Sequence, residues 1–445
     1  MELRDYQKKD LEFHLSRDRS ANLSEAGTGK SPTFSRYIYT RYLIDGCKTV
    51  FIMPGGIMKK NQEDVCEWSG WSEDEVVIVK GNKNKRLEIY KRNEIKCFII
   101  SADTFGKEWQ ILLDNQPKIN CCVVDEEHLL YSGHTSQRTQ ALYAASRKIK
   151  YFLFCSGTPL NGKFSSVYPI LAIIEPRFYM NYQNFMNYHA VYDQFGRVVA
   201  WGRAEKLRNA LNMISVRHTF KECYPKSQGY TMFYETAEID ENLKANYVQL
   251  ETEALLELED KNLDCDNPAV KAMRCRQLLS CPEAMDLELK PKTNGKDELL
   301  RVHLENAKEE GARLLLFSVF AAEQNRLKKL CEEVGLRVGV INGSVSNQKR
   351  GEIDVAFRNH DIDVVIGSPQ TCSIGFNWQF AKEVIFLSMD YQDSSFLQGI
   401  QRLDRGSRDN PIPVYVIGYK TKVERRIMEI IKRKMKESVS VLGLN

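Results

Sequence analysis

Short, almost continuous apolar runs separated by longer amphipathic stretches mark two parts of the sequence. In the first part they lie at residues 49–53, 97–100, 121–124 and 151–154. In the second part they lie at 313–317, 337–341, 364–366, 384–387 and 414–417. Strands that are apolar on both faces and alternate with helices are typical of a parallel sheet covered by helices on both sides. The pattern therefore predicts an α/β fold with two parallel-sheet domains.

The sequence between these two parts has a weaker strand pattern, with aromatic residues first and charged helical sequence afterwards, as at 243–263. We expect a helical, aromatic-rich insert over residues 161–295 that ends in an interdomain linker at 291–295. The predicted domains are then 1–160, 161–295 and 296–445. The last one ends in an amphipathic docking helix, because Val423, Ile427, Ile430, Ile431 and Met435 recur at helical spacing.

The length, composition and charge of the chain exclude several classes of protein. With 445 residues, 43% of them hydrophobic and 27% charged, the chain is globular and too long for one core. Its 63 Lys and Arg against 59 Asp and Glu leave a formal charge of only +4, so a polyanion would meet a local groove rather than a general field. No apolar run approaches the roughly 18 residues of a membrane span, and the first residues lack the apolar stretch of a secretory signal. We therefore expect a soluble, cytoplasmic protein without a membrane contact.

The twelve cysteines do not form a metal-binding pattern. Only Cys121 and Cys122 are close neighbours, and no Cys-x-x-Cys occurs. Cys97, Cys122 and Cys155 lie inside apolar runs. We expect buried free thiols and no structural zinc.

Residues 24–31, Ser-Glu-Ala-Gly-Thr-Gly-Lys-Ser, precede a helical stretch and have the character of a phosphate-binding loop. Backbone N–H groups at Gly27, Thr28 and Gly29 can surround phosphate oxygens, Lys30 supplies a point charge, and Ser31 offers a hydroxyl to Mg²⁺. Ser24 stands where the usual pattern has its first glycine. The alternative is an incidental glycine-rich helix start.

A second group of polar residues follows the apolar run 121–124. Asp125 and Glu126 come directly after it, where a parallel α/β sheet places its ligand crevice. Asp125 is the candidate for holding Mg²⁺ and Glu126 for polarising an attacking water. Acidic residues exposed to solvent after a strand are common and often have no function. The functional assignment of Asp125 and Glu126 therefore depends on their position in the sheet relative to Lys30.

Taken in order, these segments resemble the motifs of superfamily 2 helicases and translocases, with the closest similarity to the Swi/Snf-type branch. Residues 125–128, Asp-Glu-Glu-His, resemble motif II, and 156–160, Ser-Gly-Thr-Pro-Leu, resemble motif III. Farther on, 341–344, 373–377 and 401–408 are similar to the Asp-Gly-Ser segment, motif V and motif VI. Asn342, Cys372, Ser373 and Ser407 depart from the family pattern. The resemblance implies two tandem RecA-like domains, and the compact size is similar to that of small phage or bacterial helicases that process branched DNA.

The same resemblance implies further residues for the ATP site. Gln401, Arg405 and Arg408 of motif VI would complete it from the second domain, with the two arginines acting as fingers on the γ-phosphate. Without that context, the arginines would be read as a solvated helix face. Gln7 would read the adenine edge, and Gly375 of motif V would contact the nucleotide.

Nucleic-acid contacts are implied on both domains. In the first domain the candidates are Pro54, Gly55, Gly56, Lys59, Lys60, Ser101 and Thr104, and in the second they are Ser318 and Ser368. Such groups grip phosphates and give affinity without reading sequence. Lys59 and Lys60 could equally form a solvated helix face. The aromatic residues from Phe178 to Trp201 could form a small core, which we favour, or a wedge or stacking platform at a duplex junction.

The function that follows is ATP-dependent movement on duplex, forked or branched DNA, with strand separation or remodelling, in replication, recombination or repair. We expect a monomer that works in the cytoplasm, the host cytoplasm if a phage encodes it. Three alternatives stay open, namely a DNA translocase without strand separation, an RNA helicase and a nucleotide-switched binding scaffold.

Overall fold

The structure is a computed structural model that describes residues 2–429 except 132, 161–162, 260–267, 286, 288–289, 373–375, 377, 390–399, 401–409 and 426. The chain divides between Pro225 and Lys226 into two compact units. Each unit contains one large parallel sheet. The predicted fold class, two tandem RecA-like parallel-sheet domains, is confirmed.

The first unit contains β1 (Arg19–Asn22), β2 (Lys48–Ile52), β3 (Val76–Ile78), β4 (Cys97–Ile100), β5 (Ile119–Asp125), β6 (Tyr151–Cys155), β7 (Ala190–Tyr192), β8 (Val198–Trp201) and β9 (Ser215–Val216). Its helices are α1 (Asp5–Leu15), α2 (Lys30–Asp45), α3 (Met58–Ser69), α4 (Lys83–Tyr90), α5 (Ala102–Asn115), α6 (Glu127–Leu130), α7 (Gln137–Ser146), α8 (Tyr168–Ile174), α9 (Tyr182–His189), α10 (Ala204–Ile214) and α11 (Phe220–Cys223). Short 3-10 turns occur at Gly55–Ile57, Phe164–Val167 and Pro176–Phe178.

The second unit contains β10 (Tyr230–Ala237), β11 (Leu314–Phe317), β12 (Val338–Ile341), β13 (Val364–Gly367), β14 (Glu383–Phe386) and β15 (Ile412–Tyr419). Its helices are α12 (Glu241–Glu259), α13 (Pro268–Ser280), α14 (Gly295–Glu310), α15 (Ala321–Val334), α16 (Asn347–Arg358) and α17 (Pro369–Cys372), with a 3-10 turn at Pro282–Ala284.

The first sheet has seven parallel strands in the order β3-β4-β2-β5-β6-β1-β9. Strand β6 therefore lies between β5 and β1, and Cys155 at its end is in register with both Asp125 and Asn22. Because the carboxyl ends of parallel strands meet at one edge, the segments after β1, β5 and β6 lie side by side. This order places the predicted phosphate loop and the predicted acidic pair around the Ser156 segment.

The second sheet has six parallel strands in the order β10-β15-β14-β11-β13-β12. Alternate residues of a strand point to opposite faces. Leu314 and Leu316 belong to one apolar cluster, and Leu315 and Phe317 belong to another. Both faces are therefore buried, which explains why the sequence shows continuous apolar runs instead of alternation.

The predicted insert does not form a separate domain, because residues 161–225 belong to the first unit. Strand β9 pairs with β1 as the seventh strand of the first sheet. Leu171 of α8 and Leu207 of α10 are buried in the same core as Ala21 of β1. The aromatic sequence after residue 160 thus completes the first domain, which extends well past the predicted boundary at 160.

Residues 226–295 belong to the second unit, which corrects the predicted linker at 291–295. Strand β10 pairs with β15 from Tyr230↔Ile412 onward. The Asp240 carboxylate accepts hydrogen bonds from the backbone N–H groups of Lys292 and Thr293, at 3.1 and 3.4 Å. The segment 291–295 is therefore fixed within the second unit, and the boundary between the units lies about 65 residues earlier, at Pro225.

The structure also bears on the predictions for the cysteines and for the C-terminal helix. Cys97, Cys122 and Cys155 have no exposed surface, and burial raises the pKa of each thiol. The predicted C-terminal helix is described only at residues 422–425 and 427–429, where it is helical, and the remainder lies outside the described residues.

Candidate active site

Residues 24–31 connect β1 to α2 and form a tight loop. Gly27 and Gly29 have φ values of +81° and +82°, a region that favours glycine. A Cβ atom at Gly29 would lie 2.8 Å from Nε2 of Gln7. Helix α2 begins at Lys30, so the unpaired N–H groups of its first turn lie at this loop. The backbone thus has the conformation and the donors that an anion site needs.

The Lys30 side chain lies over its own loop. Its Nζ donates hydrogen bonds to the carbonyl oxygens of Ser24, at 2.8 Å, and Glu25, at 2.9 Å. Thr28 is 1% exposed, and its hydroxyl donates to the Glu25 carbonyl at 2.8 Å. Ser31 lies half-buried in the first turn of α2. The predicted loop residues are therefore together at the carboxyl end of β1.

Helix α1 supports the loop from one side. The Gln7 side chain is buried, its Oε1 accepts from the Arg4 N–H at 2.9 Å, and its Nε2 donates to the Gly29 carbonyl at 2.8 Å. The hydroxyl of Tyr6 donates to the Thr28 carbonyl at 2.6 Å. Gln7 thus lies beside the loop as predicted, and its contact with an adenine base stays a prediction.

The segment after β9 supports the loop from the other side, and sequence reasoning missed it. The Glu25 N–H donates to the His218 carbonyl at 3.0 Å, and the Phe220 N–H donates to Glu25 Oε2 at 2.6 Å. The His218 N–H donates to the Ser24 hydroxyl at 3.1 Å. A glycine has no hydroxyl to accept this last hydrogen bond, so the serine that replaces the usual glycine at position 24 has a structural role. This replacement was the feature of the sequence that could have indicated the contact.

Asp125 ends β5 and is buried. Its Oδ1 accepts from the Glu126 N–H and its Oδ2 from Asn61 Nδ2, each at 3.1 Å. Burial and the negative charge of Glu126 raise the pKa of Asp125 to about 6. Asn61 comes from α3 and was not predicted. Its amide fixes the carboxylate, and the nearby Lys30 charge partly offsets the rise in the Asp125 pKa.

Glu126 follows in a strained backbone conformation, with φ at +50°. Such a conformation at a non-glycine residue costs about 1 kcal/mol or more and is found disproportionately at functional sites. Among the described residues, its Oε2 is a buried atom without a hydrogen-bond partner, and it lies 3.5 Å from Nδ1 of His128. The strained turn therefore holds a carboxylate oxygen that is free to accept a proton or a hydrogen bond.

The third acid of the segment differs from the first two. Glu127 has no exposed surface, and neither carboxyl oxygen has a hydrogen-bond partner within the described chain. Burial raises the pKa of Glu127 well above its ordinary value. Among the described residues, Glu127 therefore has no hydrogen bond to stabilise an ionised form, whereas Asp125 has two.

His128 joins the acidic segment to the loop after β6. Its Nδ1 lies 2.8 Å from the Ser156 hydroxyl and its Nε2 lies 3.1 Å from the Thr158 hydroxyl. Burial and the Lys30 charge lower the pKa of His128 to about 3, so the ring is neutral. A Cβ atom at Gly157 would lie 3.0 Å from the Ala26 backbone N. The three segments thus form one contiguous site in the first unit.

The predicted nucleic-acid residues of the first unit follow β2 and β4. Gly55 and Gly56 are exposed after the half-buried Pro54. The Ser101 hydroxyl caps α5, accepting from the Thr104 N–H at 3.2 Å and donating to the Thr104 hydroxyl at 2.9 Å. All five residues lie at the sheet edge that carries the phosphate loop, because β2 and β4 run parallel to β1.

Lys59 and Lys60 instead have carboxylate partners. Lys59 lies 2.7 Å from Glu73, and Lys60 lies 3.3 Å from Asp64. Both ammonium groups are on the exposed side of α3. This is the solvated helix face that the sequence left open, and contacts of these residues with phosphate stay a prediction.

The structure contradicts a direct phosphate contact by Ser318 in the second unit. Ser318 has no exposed surface, and its hydroxyl donates to Glu323 Oε2 at 2.6 Å. Ser368 is half-buried and caps α17, accepting from the Thr371 N–H at 3.2 Å. Four other candidates lie outside the described residues: Gly375, Gln401, Arg405 and Arg408.

Comparison with known proteins places the chain in a family. The SNF2-related domain matches residues 5–253, more than half of the sequence, and the helicase conserved C-terminal domain matches residues 295–408. The chain belongs to the SNF2-related family. The first match spans the phosphate loop, the acidic pair and the Ser156 segment, and the second begins at α14.

Several curated proteins of this SNF2-related family are similar to the chain at low identity. ISWI chromatin-remodeling complex ATPase ISW2 of Saccharomyces cerevisiae is 22% identical over 98% of this chain and 40% of its own length. Probable ATP-dependent DNA helicase CHR23 of Arabidopsis thaliana is 23% identical over 98% of this chain and 43% of its length. Chromodomain-helicase-DNA-binding protein 3 homolog of Caenorhabditis elegans is 23% identical over 70% of this chain and 18% of its length. The chain spans less than half of each relative.

Among solved structures, the Sulfolobus solfataricus SWI2/SNF2 ATPase core in complex with dsDNA is similar at a TM-score of 0.45 and 15% identity, covering 99% of this chain and 93% of that one. Across the residues that the structure describes, no helix has the length and apolar character of a membrane span. The described residues also contain no cluster of three or more His, Cys, Asp or Glu side chains suited to a metal ion.

Proposed function

We propose that this SNF2-related protein is a DNA-stimulated ATP hydrolase that moves along duplex or branched DNA and separates or remodels its strands. The observation that carries the proposal is the convergence of Lys30, Asp125 and Glu126 at one sheet edge. Two of the similar proteins are named an ATPase and a DNA helicase, which supports the same activity.

The residues of the first unit fit ATP with Mg²⁺. Lys30 would bind the β- and γ-phosphates against the N–H groups of the loop. Ser31 and Asp125 would hold Mg²⁺ with the nucleotide, and the ion would neutralise charge on the phosphates. The fit rests on Asp125 itself, a buried carboxylate whose partners are neutral amide groups and whose pKa is raised to about 6. A nearby cation would stabilise its charged form.

Glu126 is the proposed general base. Its Oε2 is buried and without a hydrogen-bond partner among the described residues, so it can accept a proton from a water molecule. Neutral His128 lies beside it and is bonded to Ser156 and Thr158. His128 therefore lies between the proposed base and the segment after β6.

Arg405 and Arg408 are proposed to stabilise charge on the γ-phosphate, as the motif VI resemblance implies. Arg405→Ala or Arg408→Ala should abolish the DNA-stimulated rate, with a much smaller effect on ATP affinity than Lys30→Ala. Turnover with and without forked DNA, measured beside nucleotide binding, tests this. A full stimulated rate in Arg405→Ala would remove the arginine from the site.

DNA would contact backbone N–H groups and hydroxyls at Gly55, Gly56, Ser101, Thr104 and Ser368. Contacts of this kind bind phosphates and do not read sequence. DNA affinity should therefore depend little on sequence. If Lys59 and Lys60 also contact phosphates, affinity should fall linearly with salt on a log–log plot. A flat salt response would contradict phosphate contacts by these lysines.

One assay series tests the function as a whole. ATP hydrolysis is measured without nucleic acid and with single strands, duplex, forks and RNA, and strand displacement is then measured on the best activator. We expect duplex or forked DNA to stimulate most. Stimulation by RNA alone would favour an RNA helicase, and tight ATP binding without turnover would favour a nucleotide-switched scaffold. Light scattering checks the proposed monomer.

A further inference from the structure

The hairpin β7–β8 exposes apolar side chains on both of its faces. Val191 is 47% exposed and the next residue, Tyr192, is 43% exposed, and neighbouring strand residues point to opposite faces. On the other strand Val199 is 53% exposed. Within the part of the chain that the structure describes, the two strands pair with each other and with no other strand. A two-stranded ribbon gains little stability from such side chains, so their exposure indicates an interaction surface.

The tip of the hairpin is ordered by its own contacts. Asp193 Oδ1 accepts from the N–H groups of Phe195 and Arg197, each at 2.9 Å, and Asp193 Oδ2 accepts from Arg197 Nε at 2.9 Å. The Arg197 guanidinium lies 5.1 Å from the centre of the Phe195 ring. Phe195 is nevertheless 67% exposed. The turn therefore presents an aromatic ring to solvent in a fixed position.

The base of the hairpin packs against the core of the first unit. Trp201 of β8 stacks on Phe164, with ring centres 5.4 Å apart, and Phe164 comes nine residues after Cys155 at the end of β6. His189, directly before β7, contacts the Gly202 carbonyl through Nδ1 at 3.0 Å and the Tyr179 hydroxyl through Nε2 at 2.7 Å. The hairpin is thus a rigid projection from the first unit.

The charge around the hairpin favours a polyanion. Residues 177–208 contain five basic residues and two acidic ones. Arg177 and Arg197 form ion pairs with Glu175 and Asp193. The Arg203 guanidinium lies 4.3 Å from the centre of the Tyr188 ring, and Lys206 lies nearby in the same segment. The same segment contains eight of the aromatic residues: Phe178, Tyr179, Tyr182, Phe185, Tyr188, Tyr192, Phe195 and Trp201. Aromatic rings between basic side chains are the combination that binds unpaired nucleotides, through base stacking and phosphate contacts.

A groove of about 510 Å³ lies at the base of the hairpin, beginning at Tyr188. Met180, Asn184, Lys206 and Asn209 line it together with Tyr188. An aromatic ring and a thioether can stack against bases, amides can bond to base edges, and an ammonium group can bind phosphate. The groove therefore has the chemistry to accept one unpaired strand.

We propose that the β7–β8 hairpin meets DNA where the two strands part, with Phe195 stacking on the last base pair and the Tyr188 groove accepting one released strand. This inference rests on the proposed DNA-dependent function and extends it, because it assigns strand separation to a particular element. The core interpretation of the aromatic segment holds for Phe185, which is buried, and does not extend to the hairpin.

The test compares three variants with the wild-type protein. Phe195→Ala and Tyr192→Ala remove exposed rings, and Ile44→Ala on α2, where Ile44 is 65% exposed, is the matched control. Strand displacement on a fork should fall on the order of tenfold in each hairpin variant, the size expected for losing one stacked base. ATP hydrolysis stimulated by uniform duplex should stay within twofold. The Ile44 variant should match wild type in both assays.

The outcomes separate this proposal from the proposed function. Absence of DNA-stimulated hydrolysis in the wild type would overturn both. Normal stimulation without any strand displacement in the wild type, or equal displacement by all variants, would overturn only the hairpin assignment. A hairpin variant that changes the oligomeric state in light scattering would show that the exposed face binds a second copy, which also overturns it.

A measurement that needs no turnover gives an independent check. A 4-thiothymidine at the last paired position of a fork is irradiated with the protein, and crosslinked peptides are identified by mass spectrometry. We expect crosslinks within residues 188–201 at this position and none when the probe lies ten base pairs inside the duplex. Crosslinks confined to other segments would contradict the proposal.

Discussion

The charged groups of the candidate active site and two cations of the second unit have different kinds of partner. In the first unit the carboxylate of Asp125 is bonded to the Asn61 amide and to a backbone N–H. The ammonium of Lys30 is bonded to two carbonyls of its own loop. Both charges thus have neutral hydrogen-bond partners.

In the second unit, by contrast, Lys296 and Arg326 face opposite charges. Lys296 has no exposed surface, and its Nζ lies 2.6 Å from Glu424 and 2.9 Å from the Leu387 carbonyl. The Arg326 guanidinium lies 2.9 Å from Asp297 and 2.8 Å from Glu283. These groups form closed ion pairs.

The difference separates a site from a scaffold. A charged side chain whose hydrogen-bond partners are neutral can still be stabilised by a ligand of opposite charge. Such side chains are found at functional sites. In an ion pair, each charge is already stabilised by its partner. Removing one member leaves the other without an opposite charge. Substitution of Lys30 or Asp125 should therefore change activity, and substitution of Lys296 should change stability.

The largest effect is expected for Lys30→Ala. The variant should lose ATP binding and reduce DNA-stimulated hydrolysis by about 10²-fold or more, because a preorganised charge at the phosphates is removed. Its melting temperature should fall by only a few degrees, since two hydrogen bonds are lost, to the carbonyls of Ser24 and Glu25. Lys91→Ala, an exposed lysine paired with Glu88, is the control for both measurements. Hydrolysis near the wild-type rate would place the phosphate site elsewhere.

Glu126→Gln should bind ATP and fail to hydrolyse it. The substitution removes the proposed base, which typically contributes about 10²- to 10⁴-fold, and leaves Lys30 and Asp125 in place. Single-turnover hydrolysis and nucleotide affinity are measured together. A loss of affinity as large as that of Lys30→Ala would contradict the separate roles of the two residues.

Lys296→Met should destabilise the second unit by about 3–5 kcal/mol, the usual cost of leaving one member of a buried pair without its partner. Denaturant unfolding measures this, and the double variant Lys296→Met with Glu424→Gln should recover part of the loss. Equal stability of the single variant and wild type would show that the pair is not closed. Nucleotide binding measured below the unfolding transition should be unaffected.

A smaller effect is expected at His303, whose ring lies 3.1 Å from both Glu235 and Glu383 and 4.4 Å from the ring of Tyr415. Burial lowers the pKa of His303, but the hydrogen bonds to the two carboxylates outweigh it, so the pKa is raised overall. The stabilisation is therefore complete below the ordinary histidine pKa and is lost as pH rises through the raised one. His303→Gln should cost about 1–3 kcal/mol at pH 6 and less at pH 9, measured by urea unfolding. A constant difference across this range would exclude the charged ring as the cause.

The sequence predicted the fold because strands buried on both faces leave continuous apolar runs. It could not predict β9, which is two residues long, or β10, where exposed residues such as Tyr234 hide the strand pattern. The phosphate loop and the acidic pair were predictable because their residues are contiguous. Ser318 was misassigned because the sequence does not show that its hydroxyl is buried and donates to Glu323, five residues later.

The contacts that support the phosphate loop can form only after a later part of the chain has been synthesised. Glu25 is held by His218 and Phe220, which lie more than 190 residues later in the sequence. At a synthesis rate of about 5–20 residues per second, the loop emerges from the ribosome roughly 10–40 s before these partners exist. During that interval a nascent chain contains every residue of the phosphate loop without its outer support. Ribosome-bound chains that end before β9 should therefore bind nucleotide poorly, and chains that extend past α11 should bind it.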